Sequence, residues 1–226
     1  MKKLILYGVI ALIALALTAA VGINLFIGGE PEQASSPITA LELNTSSPET
    51  TTFQIVPTES EVRFLIDEVL RDEPVTVVGR TDQVAGLIAV DPTNPTNTTI
   101  GTIRVNARTL VTDSDQRNRA LNNRILQTDQ FEFIEFTPSE IQGLPEQVTL
   151  GEPFIIQVSG DLTIRDITKP AMFEITVTPV SETRLEATAT TTIQRADYDL
   201  TIPDVPFVAD VGEAVQLEID FVAIPG

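Results

Sequence analysis

The sequence predicts an all-β fold, an antiparallel barrel or sandwich with one short helix, preceded by a transmembrane helix. Three observations carry the β prediction. From residue 53 onward, apolar side chains recur at every second position, the period of strands with one buried face. Thr, Val and Ile are abundant in these runs, as strands favour. The runs are also punctuated by turn-forming clusters, among them Asp91-Pro92-Thr93-Asn94-Pro95, Gly143-Leu144-Pro145, Arg165-Asp166 and Ser181-Glu182. About eight long strands joined by short turns suit such an architecture.

The N-terminal element spans residues 1–28. Lys2 and Lys3 precede an uncharged stretch whose apolar centre runs from Leu4 to Ile27. As a helix it is about 36 Å long, enough to cross a hydrocarbon core of about 30 Å. The two lysines favour a cytoplasmic N-terminus, so the rest of the chain faces outward. A cleaved signal peptide is the alternative, with Thr18-Ala19-Ala20 as its cleavage site. Against it, Val21, Ile23, Leu25, Phe26 and Ile27 continue the apolar run beyond that site. On either reading the domain is exported. Residues 29–52 are rich in Pro, Ser, Thr and Glu and read as a flexible linker, with an r.m.s. span of about 25–30 Å.

Residues 53–226 form the folded domain. Val62, Phe64 and Ile66 alternate with Glu61, Arg63 and Asp67. Ile103, Val105 and Ala107 alternate with Arg104 and Asn106. Phe154, Ile156 and Val158 continue the pattern, followed by Leu162 and Ile164. Ala171, Phe173, Ile175 and Val177 form another such row, and Leu185, Ala187 and Ala189 the next. The last row is Val215, Leu217, Ile219, Phe221 and Ala223. Residues 113–127 depart from the pattern and read as a helix, capped by Asp113 with Gln116 completing a capping box. On that helix Leu121 and Ile125 share a stripe flanked by Arg117 and Arg124. A single helix in an all-β chain often covers an opening.

Composition narrows the function. With 14 basic and 32 acidic residues the 226-residue chain carries −18. Beyond residue 29, twelve basic residues face all 32 acids, a net charge of −20. Such a surface cannot displace phosphate counterions and does not dock on anionic lipid, so nucleic acid is excluded as a partner. There is no Cys and no His. That removes a disulfide framework, a thiol nucleophile, a Cys/His zinc site and a Ser-His-Asp triad. Neither a phosphate-binding glycine loop nor a calcium loop pattern occurs.

Three groups of residues invite a functional reading. Arg117 or Arg124 could hold an anionic headgroup at a cavity mouth, or pair with acids such as Asp113, Asp129 or Asp197 and pin the helix. Phe131, Phe133 and Phe136 fall within six residues; they could wall a hydrophobic ligand or fill an ordinary core. Arg195 and Asp197 could orient a ligand or a water, or form an ion pair at a turn.

Four stretches together resemble a known family. They are Phe53-Gln54-Ile55-Val56 through Ser60-Glu61-Val62-Arg63-Phe64, then Arg117-Asn118-Arg119-Ala120-Leu121 with Leu126-Gln127-Thr128-Asp129-Gln130-Phe131. Next come Gly160-Asp161-Leu162-Thr163-Ile164 with Thr168-Lys169-Pro170, and last Ile193-Gln194-Arg195-Ala196-Asp197-Tyr198. In this order they resemble the YceI-like proteins, bacterial exported proteins with a lipocalin-like barrel that bind polyisoprenoids. Phe53 stands where the family commonly has Trp, and Asp199 where it has Gly.

The resemblance implies an extended antiparallel lipocalin-like β-barrel around a long apolar channel. The protein is then expected to be a membrane-tethered, outward-facing carrier or store of a quinone or polyprenyl lipid, with no catalytic residue, cofactor or metal. Phe64, Phe131, Phe133, Phe173 and Phe221 are the expected lining, together with Leu121 and Ile125 of the helix. Arg117, Arg124, Arg195 and Asp197 are the expected headgroup residues. Two other readings stand beside it: an interaction module with a filled core and no ligand, and an enzyme built around Asp197.

Overall fold

The structure, a computed structural model, describes residues 35–43, 50–203 and 208–226. The expected transmembrane helix over residues 1–28 lies outside the described residues. Among the described residues no helix is long and apolar enough to cross a membrane.

The described chain is all-β with one short helix. In chain order the strands are β1 (Thr51–Ile55), β2 (Glu61–Leu70), β3 (Glu73–Thr81), β4 (Val84–Ala85), β5 (Leu87–Val90), β6 (Thr99–Ile100) and β7 (Ile103–Asn106). Helix α1 (Asp115–Ala120) follows, and then β8 (Phe133–Gln142), β9 (Phe154–Ile164), β10 (Ile167–Ser181), β11 (Arg184–Gln194), β12 (Val208–Ala209) and β13 (Ala214–Pro225). Every ladder is antiparallel, in the order β4-β7-β8-β9-β10-β11-β13-β1-β5-β6, with β2 attached to β13, β12 and β3. The sheet curls into a half-barrel. The chain also links the two ends of the ladder: Gly86 alone separates β4 from β5, and Gly101 and Thr102 separate β6 from β7.

The alternation in the sequence becomes the two faces of this sheet. On β9, Ile156, Val158, Leu162 and Ile164 are buried, and Gln157 and Asp161 between them are exposed. β10 and β11 add Phe173, Ile175, Ala187, Ala189 and Ile193 to the same core. Gly86 breaks its strand where it must: a Cβ there would stand 2.4 Å from Ile103 Cδ1. The β2–β3 hairpin turns through Arg71 and Asp72, both with positive φ, the geometry that matches the strand twist.

The helix is shorter than residues 113–127 and is capped differently. Ser114, not Asp113, is its N-cap, accepting the Arg117 amide at 3.4 Å. The Asp113 carboxylate is engaged instead by the Arg117 side chain. After Ala120 the chain continues as a π-helical turn over Leu121–Ile125. Leu121 and Leu126 enter the main core beside Tyr198 and Leu200. Arg165, in the β9–β10 turn, donates to the carbonyls of Ile125 at 3.4 Å and Asp199 at 3.3 Å. Helix, hairpin and the turn over Arg195–Tyr198 thus meet at one end of the sheet.

The linker expected over residues 29–52 is not free along its whole length. Ser35 and Ser36 are hydrogen-bonded to Glu132 and Asn106 on the domain.

Candidate ligand-binding site

The inward face of β2 and β13 differs from the rest of the core. On β13, Val215 and Ala223 are buried, but Leu217, Ile219 and Phe221 between them are only half-buried. Opposite them on β2, Val62, Phe64 and Ile66 are also half-buried, with Val62 paired to Ile219 and Phe64 to Leu217. On the other flank, β11 places Ala189 beside Ile219 and Ala187 beside Phe221. Small residues thus stand next to large ones along this row. Phe221 packs against all three apolar clusters of the domain.

Phe64 is held by its neighbour across the hairpin. Gly79 pairs with it, and a Cβ on Gly79 would stand 2.0 Å from Phe64 Cε1. The ring therefore lies flat across β3, possible only because position 79 carries no side chain. On the outer face, Arg63 clamps β2 to β13: Nε donates to Glu218 at 3.0 Å, Nη2 to Asp220 at 2.6 Å and Nη1 to Glu61 at 2.8 Å. The Glu61 hydrogen bond, which outweighs partial burial, raises the Arg63 pKa, with Asp220 and Glu218 adding to it. Asp220, pushed up by burial, is nevertheless pulled below the ordinary carboxylate range by Thr188 and Arg63.

At its lower end the apolar row on β2 runs into a charge. Glu68 follows Phe64 and Ile66 on the same face and is 8% exposed. Arg117 Nη2 donates to its Oε1 at 2.9 Å. Arg117 is thus shared between Glu68 and Asp113, a cluster carrying a net negative charge. It is an ion pair that pins α1 to β2, not an open anion site. Arg195 is engaged in a similar way, donating to the Gly212 carbonyl at 3.0 Å, the Leu200 carbonyl at 3.2 Å and the Glu213 carboxylate. It ties the turn after β11 to the start of β13. Asp197 is exposed on that turn. Burial pushes the Tyr198 pKa up, and the Asp197 charge adds to it. Arg124 stands exposed on the π-helical turn.

The expected aromatic wall separates into two faces. Phe173 is buried and meets Phe136 edge-on at 4.7 Å between ring centroids. Phe133 has the opposite parity. It shares the outer face with Arg104 and Glu135, and the Arg104 guanidinium sits 4.1 Å above its ring. Phe131 precedes β8, with the Arg165 guanidinium 6.0 Å from its ring. Neither Phe131 nor Phe133 belongs to the apolar clusters of the described residues. Phe136, not Phe133, is the inward aromatic of this strand. Glu135 already pointed to this, since a face shared with Glu135 is a solvent face. Leu121 is buried and Ile125 half-buried, both against the main core.

Two shallow grooves of about 310 Å³ each lie on the surface. One runs past Glu59, Thr176, Glu186, Thr188 and Asp220, with Phe221 at its border. The other runs past Ser139, Asp161, Pro170 and Met172. Among the described residues no cluster of His, Cys, Asp and Glu is arranged to hold a metal ion.

The model of the YceI-like domain matches residues 53–223. The chain belongs to the YceI-like domain family. Solved structures agree on the fold. This YceI-like chain superposes on a polyisoprenoid binding domain from Saccharophagus degradans with a TM-score of 0.63, at 15% identity, covering 78% of this chain and 99% of that one. It superposes on BcnA of Burkholderia cenocepacia with a TM-score of 0.59, at 15% identity, covering 74% and 98%. The YCEI protein of Campylobacter jejuni gives a TM-score of 0.54 at 13% identity, covering 66% and 84%. No curated protein matches the chain in sequence.

Proposed function

We propose that this YceI-like domain binds an isoprenoid-type lipid, a quinone or polyprenyl chain, along the inward face of β2 and β13, and does so without catalysis. The observation that carries the reading is the half-buried inward row of Phe64, Ile66, Leu217, Ile219 and Phe221. Inward side chains of a filled core lose contact with solvent, whereas these keep it. Burying one five-carbon isoprene unit there is worth about 4 kcal/mol, so several units offset an association cost of about 4–15 kcal/mol. The polyisoprenoid binding domain of the S. degradans structure supports the ligand class. The N-terminal apolar segment tethers the domain to the outer side of the membrane, within reach of lipid-embedded ligands. The tail lies against the concave side of the half-barrel.

The experiment is lipid mass spectrometry on the domain, purified from a bacterial host without detergent after a cut ahead of Ser35. A stoichiometric polyprenyl or quinone species is expected. A lipid-free protein that also ignores added quinones and polyprenyl phosphates would overturn the reading in favour of a filled interaction module.

A further inference from the structure

Asn106 presents a contradiction. It sits on the outer face of β7, beside Arg104 and Phe133, yet it is 0% exposed. A polar side chain on the outside of a sheet is buried only when something covers it. The cover here is the chain's own segment ahead of the domain. Asn106 Nδ2 donates to Ser35 Oγ at 2.6 Å, to the Ser36 carbonyl at 3.2 Å and to Glu132 Oε1 at 3.2 Å. Glu132 in turn accepts the Ser36 amide at 2.6 Å and the Ser36 hydroxyl at 3.0 Å. Arg108, its side chain 7% exposed, stands 3.6 Å from the same carboxylate. Burial pushes the Glu132 pKa up, but the Ser36, Asn106 and Arg108 partners together hold it below the usual carboxylate range. Pro37 restricts Ser36 to extended backbone, so the Ser36 amide is presented with little ordering left to do.

A second contact holds the same segment further along. Leu43 Cδ1 lies 3.4 Å from where a Cβ on Gly101 would be. Two anchor points with different chemistry, one polar and one apolar, fix residues 35–43 across the strand edge near β7.

We propose that Glu132, Asn106 and Arg108 form a docking site for Ser35 and Ser36, and that the docked segment shortens the working leash from residues 29–52 to residues 29–34. Six extended residues reach about 20 Å, against about 80 Å for the whole stretch. The end of the sheet where α1 leads into β8 is thereby held close to the membrane. The docking stands on the contacts above; the leash rests additionally on the reading of residues 1–28 as an anchor.

Two measurements on the full chain in lipid nanodiscs test this. The first is amide hydrogen exchange at Ser36. Protection of tenfold or more is expected, falling to the unprotected rate in Glu132→Ala while the β9 amides keep theirs. An unprotected Ser36 in the unmodified chain, or protection that survives Glu132→Ala, would overturn the docking. The second is energy transfer from a dye on Gln130→Cys, the chain's single cysteine, to an acceptor lipid. A ten-residue insertion between Ala34 and Ser35 is expected to weaken the transfer, and the same insertion between Asn44 and Thr45 to leave it unchanged. Equal effects of the two insertions would overturn the short leash. Absence of transfer in every form would overturn the tether, with Ser36 exchange still deciding the docking.

Discussion

Arg117 reaches from α1 to Glu68 on β2 at 2.9 Å, the one charged position in an otherwise apolar inward row. The pair joins the short helix to the wall of the half-barrel. Glu68 is the more deeply buried partner, and removing its cation leaves a carboxylate desolvated and unpaired. Arg117→Ala is therefore expected to cost about 3 kcal/mol at neutral pH, the low end for a buried pair because Arg117 is itself partly exposed. Asp113, the other partner, is 86% exposed, and Asp113→Ala is expected to cost less than about 0.5 kcal/mol. Urea midpoints of the two variants check the contrast; equal losses would show that the pair is a surface feature.

The two aromatic positions of β8 separate the faces just as clearly. Phe136 is buried edge-on against Phe173, and Phe136→Ala leaves a core cavity worth about 3–4 kcal/mol. Phe133 lies under the Arg104 guanidinium on the outer face. Phe133→Ala loses that contact and a ring that is only half-buried, about 1–2 kcal/mol. Thermal unfolding of the two variants is the check, together with lipid content. Phe133→Ala should bind as much lipid as the unmodified chain.

These residues also show what the sequence could reveal. Strict alternation over β9, β10, β11 and β13 was enough to read antiparallel strands and their inward residues, since period two has one physical cause. Phe173 and Phe221 followed directly. The β8 aromatics were ambiguous because Phe131, Phe133 and Phe136 occupy both parities, and only Glu135 indicated which one faces solvent. The arginines were harder still. A side chain's worth as an anion site depends on which acids the fold brings to it, and Glu68 is 49 residues from Arg117 in sequence. The docking of Ser35 and Ser36 was illegible for a related reason. A segment rich in Ser, Pro and Glu has the composition of a solvated linker, and its receptor residues Asn106 and Glu132 lie 71 and 96 positions away.

Acid should unfold the domain in a defined window. Asp220 and Glu132 are raised by burial but lowered more by their partners, and the Thr93 hydroxyl lowers Asp91. Each binds its proton less readily folded than unfolded, so the unfolded chain takes up more protons as the pH falls. Their stabilisation is complete above the unfolded values near 4 and is lost as pH drops through the lower folded ones. With no histidine in the chain, no side chain with an ordinary pKa changes charge between pH 6 and 8. Urea midpoints should be level from about pH 8 to 5 and fall below about pH 4. A slope centred near pH 6 would contradict this account.

Gly79 offers the sharpest test of the inward row as a lipid surface. Its missing side chain is what lets the Phe64 ring lie across β3. In Gly79→Ala the new methyl and the ring cannot coexist at 2.0 Å, so the ring must rotate away from the strand. On its inward side stands Leu217, its partner across the β2–β13 ladder, in the row along which the tail is proposed to run. Overpacking of this kind costs about 1–3 kcal/mol in the empty protein. The larger effect is expected on ligand binding: a ring displaced into the proposed path of the tail excludes roughly one isoprene unit, worth about 4 kcal/mol. Lipid content per mole of Gly79→Ala should then fall several-fold. The double variant Gly79→Ala with Phe64→Ala should recover it, because the obstructing ring is gone. Unchanged lipid content in Gly79→Ala would place the tail elsewhere than beside Phe64.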